Sequence, residues 1–199
     1  MKDFSVWLVG LLLLSVGVLY VYKIWKHDIS PTLSMWIIFS LGTGLSLVTY
    51  LIAEKRDFRS GILNTVDVIG TAAIVLAIIL WGEHGVRLKS FEKWYLVGVG
   101  VIITYGLLTG DAWTSNIFTQ VLISLGYFPT IQTLVTEKRN TESFVTWGLN
   151  GLVGLIALYP AMVDGNSLAI VYSARSIVSI AILLCIMTYY EVREKETKS

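Results

Sequence analysis

The chain has 199 residues, of which 55% are hydrophobic and only 15% are charged, and its formal net charge is +1. A mean hydropathy of +0.70 excludes a soluble globular domain and predicts an all-α protein that crosses a membrane several times. The near-zero charge, with no basic patch carrying interleaved aromatic residues, predicts no nucleic-acid partner. The single cysteine, Cys185, excludes an internal disulfide framework and a cysteine-based metal site.

Common enzyme motifs are absent from the sequence. No His-Glu-x-x-His, Gly-x-Ser-x-Gly or Gly-x-x-x-x-Gly-Lys pattern occurs, so we expect neither an enzyme nor a bound cofactor. The two histidines, His27 and His84, fall in separate polar loops, which favours solvated side chains over metal ligands.

Seven apolar runs are each close to the roughly 20 residues that a helix needs to cross the hydrocarbon layer. We predict spanning helices at 4–22, 33–53, 61–81, 93–110, 113–135, 143–163 and 167–190. The first run is longer than the apolar part of a signal peptide and is followed by no small-x-small cleavage site, so it is expected to remain as a helix. The charged tail, 191–199, is expected to fray.

Polar residues are unevenly distributed over these segments. The first segments carry Trp36, Asn64 and Asp67; the fifth carries Asn116, Gln120 and Pro129; the last two carry Trp147, Asn150, Tyr172 and Arg175. The fourth is rich in glycine and poor in polar groups, which indicates a linker that packs closely instead of binding a solute.

The distribution of lysine and arginine between the loops predicts the orientation of the chain. One side carries Lys23, Lys26, Arg87, Lys89, Lys93, Lys138, Arg139, Arg193, Lys195 and Lys198, and the other carries Lys2, Lys55, Arg56 and Arg59. The richer side is predicted to be cytoplasmic, which places the N-terminus outside and the C-terminus inside a cell membrane.

The stretch from Gly126 to Asn150 combines a helix containing Pro129, a charged turn and a second helix. The turn reads Lys138-Arg139-Asn140-Thr141-Glu142-Ser143. This stretch resembles the PQ-loop proteins, which include the SWEET and SemiSWEET sugar transporters and have the KDEL receptors and Pnu-type vitamin transporters as structural relatives. It departs from their pattern at Thr130, where glutamine is expected. The resemblance implies two parallel three-helix bundles joined by a linker helix (3+1+3), with aromatic and asparagine side chains at a central site.

Internal similarity is consistent with a repeat of this kind. A shift of 111 residues aligns Trp36 with Trp147, and a shift of 108 aligns Asp67 with Arg175. Both shifts predict bundles at 1–82 and 113–190, a linker at 83–112 and a tail at 191–199. A rival shift of 83 aligns Glu54-Lys55-Arg56 with Glu137-Lys138-Arg139 and would make the repeats inverted.

Asp67 and Arg175 are the two ionisable residues that lie clearly inside predicted spans. A charge at bilayer depth costs at least about 2.5–3.5 kcal/mol on insertion scales, so it normally faces a cavity or a partner. We predict that these side chains lie across a central path, where they pair or bind a polar substrate. The alternatives are a structural ion pair and side chains that extend to the outer headgroups.

A second set of candidates suits hydroxyl-bearing or flat solutes. Trp147, Asn150, Asn64 and Tyr172 are predicted substrate ligands, with Trp36 as the repeat partner of Trp147. An interfacial aromatic belt is the alternative for the two tryptophans. Pro129 is a candidate hinge or a structural kink. Asn116 and Gln120 either line the pathway or form interhelical hydrogen bonds.

These features predict a carrier that moves a small polar solute, such as a sugar or a vitamin, by alternating access. A receptor or sorting protein of the same fold is the second hypothesis, and a channel is the third. The expected partners are the lipid bilayer and the solute, and a homo-oligomer is left open.

Overall fold

The computed structural model describes residues 2–54, 59–82 and 90–198. Within these ranges the chain forms eight α-helices and no β-strand, so the fold is all-α. The helices are α1 (Lys2–Trp25), α2 (Leu33–Ala53), α3 (Ile62–Trp81), α4 (Ser90–Thr109), α5 (Ala112–Leu125), α6 (Phe128–Glu137), α7 (Phe144–Val163) and α8 (Ser167–Lys198). The predictions made for Lys55, Arg56, His84, Arg87 and Lys89 fall outside the described residues.

Five of these helices, namely α1, α2, α3, α7 and the part of α8 up to Glu194, are long and apolar enough to span a membrane. The apolar part of α4, Lys93–Thr109, is shorter. This is the composition of a polytopic membrane protein.

The first helix shows how the chain divides its apolar residues between protein and lipid. Its buried side chains recur every three or four residues along one face, at Val6, Val9, Leu13, Val16, Tyr20 and Ile24. The opposite face exposes equally apolar side chains, among them Trp7, Leu11 and Val18. A helix that is apolar on both faces but buried on only one is suited to packing against protein on one side and lipid on the other.

The fifth predicted span is wrong in one respect, because the chain forms two helices there instead of one bent helix. α5 ends at Leu125 and α6 begins at Phe128, which places Pro129 in the first turn of α6. Proline is well tolerated at that position, where the missing N–H has no role in the helix. The break between the two helices therefore lies at Gly126 and Tyr127, just before the proline.

The backbone of the charged tail is helical, and the fraying expected for it stays a prediction. α8 continues without a break from Ser167 to Lys198, well beyond the end of the apolar segment at residue 190.

If α5 and α6 are counted together as one interrupted helix, the helices other than α4 pack as two groups of three. α3 packs against α1 and α2, while α8 packs against α7, α5 and α6. The groups meet where α1 contacts α7 and α2 contacts α5, and α4 packs mainly on α5. The third helix of each group thus contacts the other two.

Hydrogen bonds identify the two ends of the molecule. At the Asp164 end, Asp164 accepts hydrogen bonds from Lys2, at the start of α1, and from Ser60, just before α3. At the Glu142 end, Glu142 accepts a hydrogen bond from Tyr20, near the end of α1. α5 begins at the Asp164 end, where Trp113 Nε1 donates to Ser167 Oγ over 3.4 Å, and α6 ends at Glu137, close to Glu142. α1 and the α5–α6 pair therefore run in the same direction, as parallel repeats require.

Candidate functional site

A cavity with both polar and apolar walls lies between the two groups of helices. It is lined by Leu13, Trp36, Phe39, Thr43, Leu63, Asp67, Thr71, Ile123, Tyr127, Trp147, Asn150, Arg175, Ser176 and Ile180. About 50 Å³ is accessible to the centres of water-sized molecules. Since one water needs about 10–15 Å³ by this measure, the cavity holds roughly three to five waters. Five of its residues, including Asp67 and Asn150, also line an adjoining hollow of about 30 Å³.

Asp67 of α3 and Arg175 of α8 both face this cavity, and Tyr172 connects them. The Tyr172 hydroxyl donates a hydrogen bond to Asp67 Oδ2 over 2.7 Å, while the Arg175 guanidinium lies 4.7 Å from the centre of the Tyr172 ring. Asp67 and Arg175 form no direct ion pair in the described part of the chain. The buried Arg175 Nε has no hydrogen-bond partner among the described residues.

The predicted site residue Asn150 lines the same cavity from α7. It is partly buried and sits one helical turn from Trp147, so both project from one face of α7. Three helices, α3, α7 and α8, therefore place polar side chains around one cavity.

The cavity is bounded toward the Glu142 end by aromatic rings. Trp36 and Trp147 are stacked with their ring centres 6.1 Å apart, and Tyr20 packs 4.9 Å from Trp36. Tyr127 lies 5.7 Å from Trp147. Trp36 and Trp147 are only 4% and 3% exposed, so neither belongs to an interfacial belt.

A buried carboxylate lies beneath these rings. Glu142 Oε2 accepts hydrogen bonds from the Tyr20 hydroxyl over 2.6 Å and from Trp147 Nε1 over 3.0 Å. The next residue, Ser143, accepts a hydrogen bond from Lys23 over 2.8 Å and caps α7. Burial raises the pKa of Glu142, and the hydrogen bonds from Tyr20 and Trp147 oppose this shift only in part. These contacts join the end of α1 to the start of α7.

The predicted residues Asn64, Asn116 and Gln120 form a separate polar cluster around Ser46. Asn116 Nδ2 donates to the Ser46 carbonyl over 2.8 Å, and Gln120 Nε2 donates to Ser46 Oγ over 2.9 Å. The Asn64 amide also contacts Ser46 Oγ over 3.0 Å. These bonds join α2, α3 and α5, as expected for the interhelical alternative of Asn116 and Gln120. Asn64, predicted as a substrate ligand, lies in this cluster and does not line the central cavity. A hollow of about 10 Å³ lined by Asn64, Asn116 and Tyr172 separates this cluster from α8.

The Asp164 end is closed by a second set of bonds. Lys2 and Ser60 donate hydrogen bonds to Asp164. In addition, Asn166 Nδ2 donates to the Tyr50 hydroxyl over 2.9 Å. Burial of Asp164 would raise its pKa, but the Lys2 and Ser60 hydrogen bonds and the Lys2 charge outweigh burial, and the net shift is downward.

Around Pro129 the packing is tight. Thr130, which occupies the position where the PQ-loop pattern has glutamine, is buried and donates to Met35 Sδ of α2. Tyr127 N–H bonds to Ser124 O instead of the carbonyl four residues back, which shortens the last turn of α5.

No protein-family model matches this chain, and a comparison with curated protein sequences finds no match either. One carboxylate, one guanidinium and one amide share a small cavity with aromatic walls, and groups of this kind can form ion contacts and hydrogen bonds with polar solutes.

Sequence reasoning missed Glu142, Asp164 and Tyr20. Glu142 lies in a turn with Lys138 and Arg139, which predicts a solvated carboxylate. Its burial depends on Tyr20, 122 residues earlier in the chain. The one local signal is Trp147, five residues after Glu142, whose indole N–H needs a partner when it is buried.

Proposed function

We propose that this protein carries a small polar solute across a cell membrane by alternating access. The observation that carries the proposal is a single cavity that is lined by Asp67, Asn150 and Arg175, each from a different helix. A charged side chain in a membrane helix costs free energy of insertion unless it pairs with another group or faces a solute pathway. The cavity also lies between two helix groups that are joined at each end by separate side-chain contacts, which is what a carrier that opens at one end at a time requires.

The packing of the helices supports a PQ-loop or SWEET-like 3+1+3 architecture for this carrier. The third helix of each group packs between its two partners, and the groups meet through equivalent pairs, α1 with α7 and α2 with α5. In this proposal α4 is the linker, the N-terminus is outside and the C-terminus is inside, so that the Glu142 end faces the cytoplasm.

Uptake by the purified protein in proteoliposomes tests the proposal. Sugars, amino acids and vitamins serve as labelled probes, and Asp67→Asn and Arg175→Gln are compared with the wild type. We expect uptake of at least one probe class and a loss of tenfold or more in both variants, which corresponds to about 1.4 kcal/mol. Arg139→Gln is the matched control, because Arg139 is exposed and pairs only with Glu137 in the described chain. Full uptake by both cavity variants would remove these residues from the mechanism.

A receptor of the same fold is the second candidate. The observation that favours it is the helical extension of α8 beyond residue 190, which presents a charged helical end to a partner. It predicts ligand binding without flux, and loss of partner binding when residues 191–199 are deleted.

A further inference from the structure

The two charged side chains of the cavity point to the class of the solute. Asp67 and Arg175 share one cavity, yet Tyr172 lies between them and no ion pair joins them in the described chain. We propose that the solute is a small zwitterion of the amino-acid type, whose ammonium group binds Asp67 and whose carboxylate binds Arg175. This inference rests on the proposed function and names its substrate.

The charge balance of the cavity favours a zwitterion over other solutes. Asp67 and Arg175 are the charged members of the lining, and their charges sum to zero. A solute with one net charge would leave an uncompensated charge in a low-dielectric site, which is unfavourable. A zwitterion keeps the site neutral and gives each charged side chain an oppositely charged partner. An uncharged sugar would also keep it neutral, but it would leave both ionic groups without such a partner.

The Nε–H donor of Arg175, unpaired within the described chain, indicates where the carboxylate binds. Its buried Nε lacks a hydrogen-bond partner among the described residues, and a guanidinium edge is well matched to the two oxygens of a carboxylate. The Tyr172 ring beneath the guanidinium holds it in place. Asp67 keeps one oxygen bonded to Tyr172 and is an acceptor for an ammonium group, which is a donor only.

The size of the cavity restricts the side chain of the solute. Space for roughly three to five waters accommodates a solute of only a few non-hydrogen atoms. Most of the remaining wall is formed by apolar and aromatic side chains, including Phe39, Tyr127 and Trp147. Glycine and alanine suit this space best, whereas larger amino acids require the helices to separate.

A series of matched ligands tests the inference on the full chain in detergent. Binding of L-alanine, propionate, ethylamine and glucose is measured by calorimetry. Propionate lacks the amine of alanine and ethylamine lacks its carboxylate. We expect alanine to bind at least tenfold more tightly than any of the other three. Equal binding of alanine and propionate, tighter binding of glucose, or binding of none of the four would overturn the inference.

Two variants separate the roles of the charged groups. Arg175→Gln should abolish the preference for alanine over ethylamine, and Asp67→Asn should abolish the preference for alanine over propionate. Asp3→Asn and Arg139→Gln, at exposed positions, are the matched controls. If the cavity variants do not fold, the wild-type ligand series alone decides.

Failure of this inference is distinguishable from failure of the proposed function. Alanine binding without flux in proteoliposomes would retain the zwitterion site and exclude the carrier. Uptake of an uncharged solute without alanine binding would retain the carrier and overturn the zwitterion site.

Discussion

A single buried carboxylate organises the Glu142 end of the molecule. In the described part of the chain, Glu142 is the only residue that accepts a hydrogen bond from the Tyr20 hydroxyl or from Trp147 Nε1. A buried donor left without an acceptor lowers the free energy of unfolding by about 1–3 kcal/mol. The residue therefore stabilises the contact between α1 and α7 through its acceptor atoms, while the negative charge opposes burial.

We expect the charge and the acceptor atoms of Glu142 to be separable by substitution. Glu142→Ala should destabilise the protein by about 1–3 kcal/mol for each orphaned donor. Glu142→Gln keeps an acceptor oxygen and should cost much less. Thermal unfolding of the purified protein in detergent measures both, with Glu137→Ala as the matched control, because Glu137 is partly exposed and pairs with a neighbour in its own turn. Equal unfolding temperatures for Glu142→Ala and Glu137→Ala would contradict this role.

The same carboxyl gives the stability a defined pH dependence. Because burial raises its native pKa above the ordinary 4.5, the stabilising contribution is fully present below about pH 4.5 and is lost as the pH rises through the native pKa. Glu142→Gln should therefore flatten the decline of stability toward neutral pH.

At the scale of the helix, Gly126 sets the break between α5 and α6. A Cβ atom at this position would lie 2.9 Å from Ile38 Cγ2 and 3.0 Å from Phe39 Cε1, both on α2. Only glycine allows α2 to approach this closely. The missing N–H of Pro129 then prevents a bond to the Leu125 carbonyl, so the break and the close approach occur together.

We expect Gly126→Ala to destabilise the protein by about 1–3 kcal/mol, the usual cost of overpacking. Gly100→Ala is the matched control. Gly100 lies inside α4 and a Cβ there has nothing within 4 Å, so the change should be neutral or should stabilise by about 0.5–1 kcal/mol. Denaturation midpoints of the two variants against the wild type provide the measurement. A Gly126→Ala protein as stable as Gly100→Ala would show that α2 adapts to the extra methyl group.

The sequence predicted helices better than it predicted their junctions. The apolar runs at 33–53 and 143–163 agree with α2 and α7 within one residue, because hydropathy along a helix is a local property. Pro129 indicated a bend, but the position of the break depends on contacts of Gly126 with α2, which are not local. Asp67 and Arg175 were found because a charge within an apolar run is conspicuous. Glu142 was not found, because a carboxylate in a turn that already carries several charges does not stand out in the sequence.

At the scale of the whole molecule, the central cavity lies between two sets of end contacts. The Asp164 contacts join the start of α1 to the α7–α8 turn, and the Glu142 contacts join the end of α1 to the start of α7. Their pH responses have opposite signs. The native pKa of Asp164 is lowered, so its contribution is present above the ordinary 3.8 and is lost as the pH falls through the native pKa. Acid thus weakens the Asp164 end while it strengthens the Glu142 end.

If these contacts hold the ends closed, weakening one set should open the cavity from that side alone. A cysteine placed in the cavity by Ser176→Cys, in a Cys185→Ser background, reports access of a membrane-impermeant thiol reagent. We expect Asp164→Ala to accelerate labelling from the Asp164 side roughly threefold to tenfold, because an ion pair with one added hydrogen bond contributes about 1 kcal/mol.

The complementary substitution completes this prediction. Glu142→Ala should accelerate labelling from the opposite side, and each variant should leave the rate from the other side unchanged or lower, because opening one end closes the other in alternating access. Vesicles of both orientations supply the two measurements, and Asp3→Ala, at an exposed position near the same end as Asp164, is the matched control. Equal acceleration from both sides by either variant would indicate loosened packing throughout the protein and would contradict two separate gates.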